Sequence, residues 1–74
     1  MNAAQATLGV FVNDRPHALA GPASLAQLLR GLGLAERRGV AAAVNGEVVP
    51  RAAWEGRMLA GDDRVLVIRA TQGG

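Results

Sequence analysis

The sequence predicts an α+β domain in which one short α-helix lies across one face of a mixed β-sheet. Three observations carry this expectation. Apolar stretches of strand length, rich in β-branched residues, recur on both sides of a single segment with helical periodicity. That segment, residues 25–32, is too short to be stable alone and has to bury its apolar side on a sheet. The resulting order is strand, strand, helix, strand, strand, short turn, strand, with no internal repeat and no second apolar unit, which suits one two-layer domain.

The first strand is expected over residues 8–13, where Leu8-Gly9-Val10-Phe11-Val12 is apolar and partly β-branched. Residues 13–16, Asn-Asp-Arg-Pro, have turn chemistry, and residues 17–20 read as a short return strand that Gly21-Pro22 closes. Ser24 followed by Gln27 is a capping box, in which hydroxyl and amide satisfy each other's backbone N–H groups. Leu25, Leu28, Leu29 and Leu32 then fall on one side of a helix expected to run for about nine residues. Gly33 occupies the left-handed position after it, with Leu34 folding back in a Schellman ending. Gly31, inside the last turn, costs about 1 kcal/mol relative to alanine.

Glu36-Arg37-Arg38-Gly39 reads as a solvated connector. Val40–Val44 is a third strand, Asn45-Gly46 a type I′ turn, and Glu47–Val49 a short return strand ended by Pro50. Residues 51–56 fit one helical turn, in which Trp54 supplies a lid over a small core. Gly61-Asp62-Asp63 reads as a turn rather than a metal-binding carboxylate pair, and Arg64–Arg69 as the last strand. The expected organisation is an N-terminal extension without order at residues 1–7, a domain at 8–69 and a flexible tail at 70–74.

Bulk properties exclude several functions. At 74 residues, only about 60 % of the unfolded chain's surface can be buried, so the core is thin. The pI near 11.2 arises because there is no lysine or tyrosine to titrate before the arginines, while the net charge is only +2. The arginines are dispersed and Phe11 and Trp54 are the only aromatic residues, so no nucleic-acid partner is expected. Absence of cysteine removes thiolate chemistry and disulfides, and a single histidine leaves no paired zinc ligands. No secretion signal or membrane-length apolar run is visible, so a cytoplasmic location, no membrane partner and a monomeric free state are expected. No nucleophile and base are paired in the sequence, where Thr7, His17, Ser24 and Thr71 stand isolated, so the chain is not expected to be an enzyme.

The last residues, Ala70-Thr71-Gln72-Gly73-Gly74, follow the apolar run of the final strand. Glycine has no Cβ and lets backbone approach another surface closely, so this tip suits a narrow tunnel in another protein. Fully extended, such a segment reaches roughly 16 to 18 Å. The Gly74 carboxylate thus stands at the tip of a thread formed by Ala70, Thr71, Gln72 and Gly73. The outward side of the final strand, expected to carry Val67 and Arg69, would add to partner docking. Alternation alone leaves open whether Val65 and Val67 or Leu66 and Ile68 point toward the helix.

From Val10 onward the residues resemble a known family. Val44-Asn45-Gly46-Glu47-Val48-Val49-Pro50-Arg51, then Trp54, then Gly61-Asp62-Asp63 before an apolar strand, then Gly73-Gly74, are similar to the ThiS family of thiamine-biosynthesis sulfur carriers. The resemblance implies the ubiquitin-like β-grasp fold. It also implies that a ThiF-like enzyme adenylates the Gly74 carboxylate with ATP and Mg, and that sulfur from a donor such as a cysteine desulfurase displaces AMP to give a thiocarboxylate. A ThiG-like thiazole synthase would then receive the sulfur, and the carrier itself would hold no cofactor. The chain departs from the family in its N-terminal extension and in lacking the bulky apolar residue that some relatives carry before the glycines.

Three other readings compete with it. The small subunit of molybdopterin synthase uses the same Gly-Gly chemistry but fits Val-Pro-Arg with Trp54 less well. A ubiquitin-like modifier would form isopeptide bonds through Gly74. A β-grasp binding module would not use the tail at all.

Overall fold

The computed structural model describes residues 7–69. Its elements are β1 (Leu8–Val12), β2 (Arg15–Leu19), α1 (Leu25–Gly31), β3 (Val40–Val44), β4 (Glu47–Val49), a 3₁₀ segment (Arg51–Gly56) and β5 (Arg64–Arg69). The strands form one sheet in the order β2-β1-β5-β3-β4. β1 and β5 run parallel, and the other neighbouring pairs are antiparallel. One helix packed on a mixed sheet is the α+β arrangement expected from the residues, and with the last strand at the sheet's centre it is the β-grasp that the resemblance implies.

Both hairpins turn through two residues with positive φ, the type I′ geometry whose twist matches the flanking strands. Asn45 (φ 52) and Gly46 (φ 86) make the expected turn between β3 and β4. The first hairpin is tighter than the sequence suggested. Asn13 (φ 51) and Asp14 (φ 69) alone make the turn, so β2 begins at Arg15 rather than at His17. Asparagine and aspartate are the side chains that best tolerate this left-handed region. Pro16 lies within β2 opposite Phe11, whose N–H donates to the Asp63 carbonyl of β5's approach at 2.9 Å. Proline's missing donor is therefore harmless on this edge strand.

The capping box forms as expected. Ser24 Oγ accepts from the Gln27 N–H at 3.1 Å, and Gln27 Oε1 accepts from the Ser24 N–H at 2.8 Å. The helix closes with both bonds of a Schellman motif, from Leu34 N–H to Leu29 O at 2.8 Å and from Gly33 N–H to Arg30 O at 3.0 Å, with Gly33 at φ 77. It is shorter than expected at 7 residues, because Leu32 already serves as the cap. An isolated antiparallel bridge, Ser24 with Met58, ties its start to the chain after the 3₁₀ segment.

The core lies between helix and sheet. Leu25, Leu28 and Leu29 pack against Val10 of β1, Val44 of β3 and Val65 and Val67 of β5. Trp54 closes one end at 3 % exposure, with its indole N–H donating to the Val49 carbonyl at 2.9 Å. It is the expected lid, and its one polar group is satisfied.

Candidate functional site

β5 is the last strand of the fold and leads directly into residue 70. It is flanked by β1 at its start, through Phe11↔Arg64 and Val12↔Val65, and by β3 from Val44↔Val65 to Val40↔Arg69. The end of the strand is held by β3, whose pairing runs to Val40↔Arg69. The thread residues Ala70, Thr71, Gln72, Gly73 and Gly74, like residues 1–6, lie outside the described residues.

The register resolves the side-chain parity. Val65 and Val67 are buried at 2 % and 9 % exposure, whereas Leu66 and Ile68 are exposed at 50 % and 55 %. The expectation that Val67 lies on the outward side is thereby corrected. Val67 sits opposite Ala42, itself buried against the helix, and strand alternation sends the two residues between and beyond the valines to the other face. Arg69 has the inward parity but is exposed at the strand's end.

Leu66 and Ile68 stand on a largely apolar outer face. Their partners on β3 are Ala43 and Ala41, and Val48 of β4, opposite Ala43, is 72 % exposed. The alanines keep the surface low between the larger side chains. At its β1 side, the Arg64 guanidinium lies 5.1 Å from the centroid of the Phe11 ring, a cation–π contact. Scattered exposed apolar residues are ordinary on a protein surface, whereas Val48, Leu66 and Ile68 lie on the same outer face across neighbouring strands.

The residues that carried the family resemblance have structural work to do. Arg51 stacks over Trp54 at 4.5 Å from the ring centroid, and its guanidinium donates to the carbonyls of Ala35 and Arg37. A planar fork with several donors can make these contacts at once, which lysine could not. Arg51 therefore ties the loop after α1 to the 3₁₀ segment, and Val49 completes the unit by accepting the indole N–H. Sequence reasoning did not find this clamp, because an arginine after proline carries no sign of which carbonyls it will reach.

The Gly61-Asp62-Asp63 turn has both oxygens of Asp63 engaged. Oδ2 accepts from the Ala60 N–H at 2.8 Å and Oδ1 from Asn45 Nδ2 at 2.9 Å. Among the described residues no three His, Cys, Asp or Glu side chains are grouped as a metal site would need. Ser24 is consumed by the helix cap, Thr7 is exposed, and half-buried His17 lies on β2 opposite Val10. The described residues thus bring no nucleophile to a base. What they do present is a fixed strand end beside an apolar face.

Residues 10–74 match the ThiS family. The chain belongs to that family. The crystal structure of the thiamine biosynthesis protein ThiS from Geobacter metallireducens is similar, with 28 % identity and a TM-score of 0.76 over 90 % of this chain and 100 % of that one. The solution structure of a thiamine biosynthesis protein from Geobacter metallireducens gives 28 % identity and a TM-score of 0.74 over 90 % of this chain and 88 % of the other. None of the curated proteins matches significantly. The fold is accordingly the ubiquitin-like β-grasp of the ThiS family. Among the described residues, no helix is long and apolar enough to cross a membrane.

Proposed function

We propose that this ThiS-family chain is a sulfur carrier for the thiazole part of thiamine, with the Gly74 carboxylate as the carrying group. The observation that supports this best is the family match, which runs from Val10 through the Gly73-Gly74 ending. The chemistry is consistent with the residues. A carboxylate is a poor acyl donor until one oxygen becomes part of a good leaving group. Attack of a Gly74 oxygen on the α-phosphorus of ATP, with Mg in the ThiF-like partner, expels pyrophosphate and leaves an acyl-adenylate. The terminal sulfur of a persulfide on a donor such as a cysteine desulfurase displaces AMP to give an acyl disulfide. A thiol of the donor or of a partner enzyme then cleaves the S–S bond and is left in a disulfide, and the Gly74 thiocarboxylate so released passes its sulfur to the thiazole-forming reaction at a ThiG-like synthase. Without cysteine, the chain has no thiol of its own on which to carry sulfur. It acts throughout as a protein-sized substrate of other enzymes.

The docking surface for these partners is the outer face of β5, with Leu66 and Ile68 in place of the Val67 expected from the sequence, while Arg69, also expected there, has the opposite parity and is exposed at the strand's end. A few fully desolvated side chains at the centre of a contact carry most of its energy, and a carboxylate placed among them would be desolvated without a partner. In ATP–pyrophosphate exchange with the organism's own activating enzyme, the wild-type chain should be turned over. Leu66→Asp and Ile68→Asp should each raise the KM for the carrier about tenfold or more with no loss of fold. Unchanged KM in both would remove this face from the interaction. Val67→Asp is no test of docking, because it puts an unpaired charge into the core.

A further inference from the structure

The parallel ladder between β1 and β5 stops early, and a side chain continues it. Asn13 N–H donates to the Val65 carbonyl at 2.9 Å, as Phe11 N–H does to Asp63 two residues before. In a regular parallel pair, the next bonds would be from Val67 N–H to the carbonyl of residue 13 and from the N–H of residue 15 to the Val67 carbonyl. The chain has already turned away there, since Asn13 is left-handed at φ 51 and starts the hairpin to β2. The Asn13 amide supplies both groups instead. Its Oδ1 accepts from Val67 N–H at 2.8 Å and its Nδ2 donates to Val67 O at 3.3 Å.

We infer that Asn13 is a positioning residue for the tail, its side chain standing in for the missing strand so that β5 keeps support from the β1 side two residues before Arg69. On the β3 side the pairing reaches Arg69 itself, so without Asn13 the last part of β5 would be held from one side only. A one-sided strand end can swing about its remaining hydrogen bonds. A reacting carboxylate several residues further on would inherit that swing, and small misplacements in a reaction centre are costly. The inference rests on the carrier reading, since it gives Asn13 a role only if the residues after Arg69 have to enter another protein's site.

Asn45 offers a matched control. It holds the same first position of a type I′ turn at φ 52, and its amide also bonds around β5, with Oδ1 accepting from Arg64 N–H at 2.9 Å and Nδ2 donating to Asp63. Those bonds lie at the start of the strand, far along it from the tail. Asn13→Gly and Asn45→Gly both keep a residue that tolerates positive φ, and each removes one amide. Residue-resolved hydrogen exchange on the full chain should show the Val67 amide exchanging about tenfold faster in Asn13→Gly than in Asn45→Gly. In adenylation by the activating enzyme, Asn13→Gly should raise KM for the carrier about fivefold or more with kcat little changed, while Asn45→Gly stays within about twofold of wild type. Equal KM for the two glycine variants, or equal exchange at Val67, would overturn the role of Asn13 while leaving the carrier reading standing. A wild-type chain that the activating enzyme never adenylates would overturn the carrier reading, and this inference with it.

Discussion

Removal of Gly74 is expected to abolish adenylation, by more than about a thousandfold in kcat/KM, while leaving the folded domain unchanged. Among the described residues, those up to Arg69 already form a five-stranded sheet and a core that holds Leu25, Leu28, Leu29 and Trp54. The truncated chain still ends in a carboxylate and still presents Leu66 and Ile68, but its carboxyl carbon falls short by one residue, roughly 3.5 Å. An in-line attack requires the reacting atoms within about 3–3.5 Å, so such a shift forfeits nearly all of the advantage of positioning. The assay is pyrophosphate exchange, with far-UV circular dichroism and urea unfolding as checks on the fold. Retention of even a tenth of wild-type activity would mean that the terminus is not the group being activated.

Trp54→Ala is the substitution expected to damage the fold most. The indole is almost wholly buried, closes the end of a thin core, and makes a hydrogen bond to Val49 as well as a stacked contact with Arg51. Truncating a buried tryptophan typically costs about 3–5 kcal/mol. A domain of 74 residues has in all only about 4–11 kcal/mol to lose, at roughly 0.05–0.15 kcal/mol per residue. The variant should therefore unfold at a much lower urea midpoint and be partly unfolded near physiological temperature. Because Trp54 is the only tryptophan, the comparison needs circular dichroism rather than intrinsic fluorescence. An unfolding free energy within about 1 kcal/mol of wild type would show that the lid is dispensable and that the Val49-Pro50-Arg51 and Trp54 unit serves something other than stability.

The parts of this fold that the sequence makes legible are those written in local chemistry. Ser24 with Gln27, Gly33 after the helix and Asn45-Gly46 each specify a conformation through their own side chain or the lack of one, and each adopts it. Asn13-Asp14 is a weaker signal than Asn45-Gly46, because aspartate tolerates the second left-handed position less readily than glycine. The neighbouring Arg15-Pro16 also resembles turn chemistry, so the hairpin reads as two residues looser than it is. The parity of β5 is hidden for a different reason. Val65-Leu66-Val67-Ile68 is apolar on both faces, and only the pairing of Val67 with buried Ala42, a contact between distant parts of the chain, decides which face is covered. Arg51 reaching Ala35 and Arg37, and Asn13 reaching Val67 across 54 positions, are likewise fixed by topology. For the site, the outer face becomes visible only with that parity, while the tail's role is read from its residues and from the family.

The most direct test of the carrier reading is tandem mass spectrometry of the C-terminal peptide after expression in the native host, beside a strain lacking the activating enzyme. Trypsin cleaves after Arg69 and releases residues 70–74, which contain no methionine or tryptophan whose oxidation could imitate an exchange of sulfur for oxygen. Sulfur in place of one carboxyl oxygen at Gly74, absent from the control strain, is the predicted result. A Gly74 carboxylate that stays unmodified even with ATP and the activating enzyme supplied would contradict it.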